Sequence, residues 1–153
     1  MTGEPVFRRA VAADLPALVA MLADDPLGAG REGGDDSHYH RAFAAIDADP
    51  NQFLCTVELD GRIAGTLQLT FIAGLSRGGA RRGQIEAVRV AREGRGRGLG
   101  RAMMEWAIQR CRDEGCAMVQ LTTDRSRTDA HRFYERLGFA NSHLGYKMVL
   151  DRP

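Results

Sequence analysis

Lysine is almost missing from this chain: Lys147 is the single one among 153 residues, so nearly all of the 21 basic residues are arginines. A guanidinium is a planar fork that suits phosphate, but arginine in place of lysine is equally a mark of compositional drift, and drift takes most of the credit here. A large excess of either charge is also lacking. The formal net charge of +1 excludes the strongly basic character that nucleic-acid and membrane-surface binders usually need, so neither partner is expected. Cysteine is scarce, and Cys55, Cys111 and Cys116 lie in apolar surroundings. Three such residues fit reduced, buried thiols rather than a disulfide framework, and the expected compartment is cytoplasmic. No stretch approaches the roughly 20 apolar residues of a membrane span, and Met1 to Pro5 has no basic segment leading into an apolar core. Neither export nor anchoring is therefore expected.

What is present is a core. At 44% hydrophobic over 153 residues, the chain is the size of one globular domain, and residues 1–153 are expected to form a single one. Val6 to Val11 predicts a first strand, followed by a helix with Asp14 as N-cap and Leu15, Leu18, Met21 and Leu22 on one face. Asp24-Asp25-Pro26 ends it, and the glycine-rich stretch from Leu27 to Gly34 predicts a mobile loop. Ser37 is the expected cap of a second helix running to Ala48. Gln52 to Leu59 and Arg62 to Ile72 predict an antiparallel hairpin across Asp60-Gly61.

Beyond a polar stretch, strict alternation in the fourth strand puts Gln84, Glu86, Val88 and Val90 on one face and Ile85, Ala87 and Arg89 on the other. A helix follows from Leu99 with Met103, Trp106, Ala107 and Cys111 on its apolar stripe, ending near Gly115. Ala117 to Thr122 reads as a short strand buried on both faces. Ser126 with Asp129 forms the pattern of a capping box before a last helix carrying Ala130, Phe133, Tyr134 and Leu137. Gly138 caps that helix, and the tail through Leu150 predicts one or two strands. The order β-α-α-β-β-β-α-β-α-β predicts an α/β (α+β) fold: a mixed, twisted sheet of six to seven strands flanked by four helices.

One stretch combines the features of a phosphate site. Arg95-Gly96-Arg97-Gly98-Leu99-Gly100 joins a strand to a helix start, where several backbone N–H groups point at one spot and the helix dipole favours an anion. Its glycine spacing excludes G-x-G-x-x-G, and the absence of a following Gly-Lys-Ser/Thr excludes a P-loop. The remaining pattern, Arg95-x-x-Gly98-x-Gly100, resembles the acyl-CoA motif of the GNAT N-acetyltransferase superfamily, Gln/Arg-x-x-Gly-x-Gly/Ala. Ile85 to Val90 looks like that family's fourth strand. Asp129 to Phe139 is similar to its Ala-x-x-Phe-Tyr-x-x-x-Gly-Phe segment. The resemblance covers the C-terminal half closely and the first 80 residues only in element order. One position departs from it: Arg127 stands where many members carry asparagine.

The resemblance implies an acetyl-CoA-dependent N-acetyltransferase acting on a primary amine of a small molecule, by direct attack in a ternary complex and without a metal. Backbone groups of Val88, Arg89 and Val90 would run beside the pantetheine arm. Gly96, Arg97, Gly98, Leu99, Gly100 and Arg101, with Arg95, would hold the pyrophosphate. Arg127, Ala130 and Phe133 would complete the cofactor side. Tyr134 is implied as proton donor to the CoA sulfur and Glu86 as the base, directly or through water; periodicity alone reads Tyr134 as a packed aromatic and Glu86 as a solvated surface group.

Other candidates carry less. His131 reads as a surface residue paired with Glu135, and His38 and His40 at i and i+2 make a poor metal pair. Arg81, Arg82, Arg89 and Arg92 form a candidate basic rim for the CoA 3′-phosphate. Asp24, Asp25, Asp35 and Asp36 are either attractors of a cationic acceptor or helix caps. A non-catalytic acyl-CoA sensor and a protein N-terminal or lysine acetyltransferase remain alternatives, and an exposed terminal strand or helix leaves a homodimer open.

Overall fold

The computed structural model describes residues 3–151, which fall into two compact units meeting at Gln120 and Leu121 in the sequence. Five strands in the order β1-β2-β3-β4-β5 make the sheet of the first unit: β1 (Val6–Arg9), β2 (Gln52–Leu59), β3 (Arg62–Ile72), β4 (Arg82–Val90) and β5 (Met118–Gln120). The first four pair antiparallel, whereas β4 and β5 run parallel, as the intervening helix crossover requires. Helices α1 (Leu15–Ala23), α2 (Ser37–Ala48), a single turn α3 (Ser76–Gly79) and α4 (Leu99–Asp113) belong to the same unit, and α5 (Thr128–Arg136) to the second. The mixed α/β class agrees with the expectation; the strand number does not.

The β2–β3 hairpin closes as its sequence predicts. Asp60 at φ 50° and Gly61 at φ 76° are both left-handed, which a two-residue turn matching the strand twist demands. One face of the sheet carries Phe53, Cys55, Leu67, Leu69 and Ile85 under α4, whose Leu99, Met103, Met104, Ala107 and Cys111 are all buried. The helix sits close because a Cβ at Gly65 would strike Met103 Sδ and one at Gly83 would strike Cys111 Sγ. Trp106 lies at the margin, its ring stacked on Phe7 with centroids 5.0 Å apart. Two helix ends form six-to-one and five-to-two caps. Cys116 N–H donates to Cys111 O at 2.9 Å and Gly115 N–H to Arg112 O at 2.9 Å; Phe139 N–H donates to Tyr134 O at 3.1 Å and Gly138 N–H to Glu135 O at 3.0 Å.

The other face packs α1, through Leu18 and Met21, against Ala10, Phe43 and Leu54. Asp14 precedes α1 but its carboxylate does not cap that helix. It is buried and accepts instead from the Arg8 guanidinium (2.7 and 3.0 Å), Val11 N–H (2.9 Å) and Thr56 Oγ1 (3.0 Å). The Arg8 hydrogen bond, outweighing burial, lowers its pKa to about 2. The carboxylate thus ties β1, the turn after it and β2 into one buried node.

Several local expectations give way in the same manner, to a competing partner. Ser37 is the first residue of α2 rather than its cap, since its N–H and hydroxyl both donate to Asp35. Ser126 forms no capping box; its N–H and hydroxyl donate to Asp124, and α5 starts after Arg127. His131 meets the Asp124 carbonyl at 3.0 Å rather than Glu135. The segment from Leu27 to Gly34 contains a turn of 3-10 helix at Gly28–Gly30 and is tied down by Gly28 N–H to Asp25 and Gly33 N–H to the Tyr39 hydroxyl. Strand β5 spans only Met118–Gln120 and is half-buried rather than buried on both faces, because its pairing with β4 is three residues long.

The tail forms no strand among the described residues, so the sheet has five strands and not six or seven. From Ala140 its backbone bonding is a single local turn, Ser142 N–H to Ala140 O, and Leu144, Tyr146, Met148, Val149 and Leu150 are exposed.

Candidate functional site

Strand β4 is the axis of the site, and one residue changes its geometry. Thr66 pairs with Arg89 and Gln68 with Glu86, so a single residue of β3, Leu67, faces two of β4, Ala87 and Val88. This is a β-bulge, and Ala87 sits in it at φ 53°, a left-handed conformation that costs a non-glycine residue about 1 kcal/mol or more. The extra residue breaks strict alternation. Since Thr66 and Gln68 share a face, Glu86 and Arg89 share it too, while Val90, opposite Gly65, joins Ile85 on the α4 side. The expectation that Glu86, Val88 and Val90 lie on one face is therefore corrected: the bulge separates Glu86 from Val90.

The bulge coincides with the end of sheet pairing. β4 holds β5 only from Arg82 to Gln84, so among the described residues of this unit the outer edge of β4 from Glu86 to Val90 has no neighbouring strand. An open edge offers backbone groups at strand spacing to an extended ligand, with Val88 O and Val90 O already accepting from the Arg89 and Arg95 side chains at 3.0 and 3.1 Å.

That edge runs into the glycine turn. Ala91 N–H donates to Ala64 O at 2.8 Å, a short 3-10 turn covers Arg92–Gly94, and Gly96 at φ 74° and Gly98 at φ 75° turn the chain into α4. Open space surrounds the position a Cβ would take at either glycine, so both are required for their backbone angle. The first helical bond of α4 is Ala102 N–H to Gly98 O at 3.1 Å. The N–H groups of Leu99, Gly100 and Arg101 precede it at the positive end of the helix dipole.

The arginines divide between the turn's own structure and solvent. Arg95 Nε donates to Val90 O at 3.1 Å, and its terminal nitrogen reaches Asp24 at 3.3 Å. Arg92 binds Asp24 through two nitrogens, at 2.8 and 3.1 Å, and this hydrogen bonding lowers the Asp24 pKa and raises that of Arg92. Arg89 meets Asp25 at 3.3 Å. Asp24, Asp25 and Asp35 are thus engaged with arginines and a helix start, which leaves little basis for reading them as attractors of a cation. Arg101 pairs with Glu105 at 2.8 Å on an exposed helix face, and Arg97 is exposed. Arg81 and Arg82 are bound elsewhere, to Glu114 O and Asn51 and to Gln120, so they do not gather with Arg89 and Arg92 into one rim.

On the opposite face from α4, Glu86 is exposed, with its Oε1 3.4 Å from the Thr70 hydroxyl. Thr70 and Gln68 both donate to Gln52 Oε1, at 3.1 and 2.9 Å. Beside this polar row lies a cavity of about 180 Å³ between α1, α2 and the sheet. The GNAT resemblance implies an amine acceptor under the first two helices, and the cavity lies there; α2 carries Tyr39, Phe43 and Ile46 on one side yet buries no residue, so its apolar stripe partly lines this space.

In the second unit, Tyr134 lies on α5 between two aromatic neighbours, Phe133 at 5.4 Å and Phe139 at 6.0 Å between ring centroids. Ala130, Phe133, Tyr134 and Leu137 make the less exposed side of the helix, and Arg127 is exposed at its N-cap. The candidate residues are therefore in two groups: Glu86 with Val88 to Arg101 in the first unit, and Arg127, Ala130, Phe133 and Tyr134 in the second.

The thiols stand apart from this chemistry. Burial pushes Cys55 and Cys111 up to about 12 and raises half-buried Cys116 as well, which keeps all three protonated and unreactive near neutrality.

Residues 16–139 match the acetyltransferase (GNAT) family. The chain belongs to that family. Among relatives of this GNAT protein, it is 30% identical to the aminoalkylphosphonate N-acetyltransferase of Salmonella typhimurium over 76% of this chain and 75% of the other. It is 31% identical to the streptothricin acetyltransferase of Streptomyces lavendulae over 92% of this chain and 66% of the other. A solved structure described as a transcriptional regulator from Bacillus halodurans C-125 superposes with a TM-score of 0.92 at 43% identity, covering 96% of this chain and all of that one. The two enzymes act on unlike acceptors by name, so membership of the family leaves the acceptor open.

Proposed function

We propose that this GNAT protein transfers an acetyl group from acetyl-CoA to the primary amine of a small molecule. The observation that carries the reading is the coincidence, within fifteen residues, of the Ala87 bulge, the open edge of β4 and the uncapped start of α4. Pyrophosphate is served by the N–H groups from Gly96 to Arg101, with Arg97 and Arg101 as supplementary charge. The edge groups of Val88 to Val90 pair with the pantetheine arm, and an N–H there polarises the thioester carbonyl.

The chemistry then needs two proton movements. The neutral amine nitrogen attacks the carbonyl carbon, and its proton passes to Glu86, directly or through one water. The C–S bond breaks as the tetrahedral intermediate collapses, and Tyr134 gives its phenolic proton to the departing thiolate. Arg127, Ala130 and Phe133 complete the cofactor side in this reading.

The test is release of CoA, followed with a thiol reagent across a panel of amines, with the protein's own thiols, buried Cys55 and Cys111 and half-buried Cys116, subtracted by a control without amine. Transfer to at least one amine is expected. One observation favours a second reading: the 43%-identical structure is described as a regulator, and an acyl-CoA sensor using the same cradle predicts acetyl-CoA binding with no transfer to any amine.

A further inference from the structure

We infer that the cavity under α1 and α2 takes the carbon skeleton of the acceptor, and that this acceptor is a primary amine bearing an uncharged, apolar group of about the size of a benzene ring. The inference rests on the N-acetyltransferase reading and adds to it the class of amine.

Three observations support it. The first is chemical: the walls are Leu18 and Leu22 of α1 and Phe43 and Ile46 of α2, above Leu54 of the sheet, and no charged side chain lines the space. The second is that each polar side chain among the lining residues already has a donor bonded within the protein. Thr66 Oγ1 donates to Cys55 O at 2.8 Å, Gln68 Nε2 to Gln52 Oε1 at 2.9 Å, and the Tyr39 hydroxyl to Glu32 at 2.7 Å. A sugar, a polyamine or a phosphonate entering here would lose its hydrogen bonds to water and find few replacements. The third is size: about 180 Å³ is close to the roughly 150 Å³ of an apolar cavity that accepts benzene.

Position sets the orientation. Gln68 and Ala87 line the cavity, and Glu86 is the cross-strand partner of the first and the chain neighbour of the second. The carboxylate therefore stands at the rim, where it complements an ammonium and can take the proton the amine must lose, while the apolar group points inward. Arg89 shares that face, with its guanidinium held on Asp25.

The experiment compares 2-phenylethylamine, ethanolamine, spermidine and 2-aminoethylphosphonate as acceptors with saturating acetyl-CoA. In parallel, toluene is titrated into the full chain while the methyl signals of Leu18, Ile46 and Leu54 are followed by NMR. The expected result is a kcat/KM for 2-phenylethylamine at least tenfold above the other three, with toluene shifting those methyl signals. Ala42→Trp, at an exposed position on α2 that also lines the cavity, should abolish both effects and leave acetyl-CoA affinity unchanged. A higher kcat/KM for any of the polar amines, or toluene leaving the methyl signals unmoved, overturns the acceptor assignment and leaves the enzyme reading standing. Bound acetyl-CoA with no transfer to any of the four overturns the acceptor assignment, and the same outcome across the wider amine panel overturns the enzyme reading as well.

Discussion

Strand β4 leaves one glycine- and arginine-rich turn and enters another, and the two do different work. The first, α3, holds Arg77, Gly78 and Gly79 at φ 57°, 69° and 78°; the second holds Gly96 and Gly98 at 74° and 75°. Composition and backbone angles are nearly the same. In the first turn the N–H groups close on their own backbone, Gly79 to Leu75 and Ala80 to Ser76, and the chain passes into the end of β4 that is paired on both sides. The second follows the end of β4 that, within its unit, is paired on one side only and opens into a 15-residue helix. In the proposed reading, anion binding arises from what flanks a glycine turn, namely an open strand edge before it and the first N–H groups of a long helix after it.

The sharpest break between the regions is expected in the chemistry, which a cradle for the donor leaves to other side chains. Tyr134→Phe should lower kcat about a hundredfold with acetyl-CoA affinity unchanged, as initial rates beside calorimetry would record; an unaltered kcat removes Tyr134 from the mechanism. Next come the turns themselves. Gly98→Val and Gly78→Val impose a similar strain, of about 1–3 kcal/mol, in equally open space. The first should weaken acetyl-CoA binding by roughly thirtyfold or more and the second leave it intact, although both lower the melting temperature.

A smaller effect separates stability from binding. Asp14→Asn removes one of the two anionic partners of Arg8, leaving Glu58, and should cost about 2 kcal/mol without altering acetyl-CoA affinity. Its pH signature follows from sign: the Asp14 pKa falls to about 2 on folding, below the unfolded value near 3.9. The wild type therefore has this stabilisation in full above about pH 5 and loses it as pH drops toward 2, while the variant's melting curve is flatter over that window. Least of all, Arg101→Ala should leave stability within about 0.5 kcal/mol, because its pair with Glu105 is exposed, and reduce acetyl-CoA affinity a few-fold.

The regular parts of the fold were legible because one physical signal governs each. Gln52–Leu59 and Arg62–Ile72 follow from alternation and the Asp60-Gly61 turn, and the ends of α4 and α5 follow from Gly115 and Gly138. Capping residues were less legible, since Asp14 and Ser126 each have several possible partners and only the tertiary structure selects Arg8 for one and Asp124 for the other. The Ala87 bulge had no signal, because alanine is not a residue that announces a left-handed angle. Of the candidate site, the glycine turn was visible as a run of residues, whereas the shared face of Glu86 and Arg89 and the cavity beside them depend on that one hidden residue and on a helix that stops short of filling its space.

The central claim is that the second turn, with the strand edge before it, holds the donor and the first does not. Titrating acetyl-CoA while following backbone amide resonances tests it directly. The account predicts shifts at Val88 to Val90 and from Gly96 to Arg101, with Arg77 to Gly79 unmoved. Shifts confined to the first turn, or none at either, would contradict it.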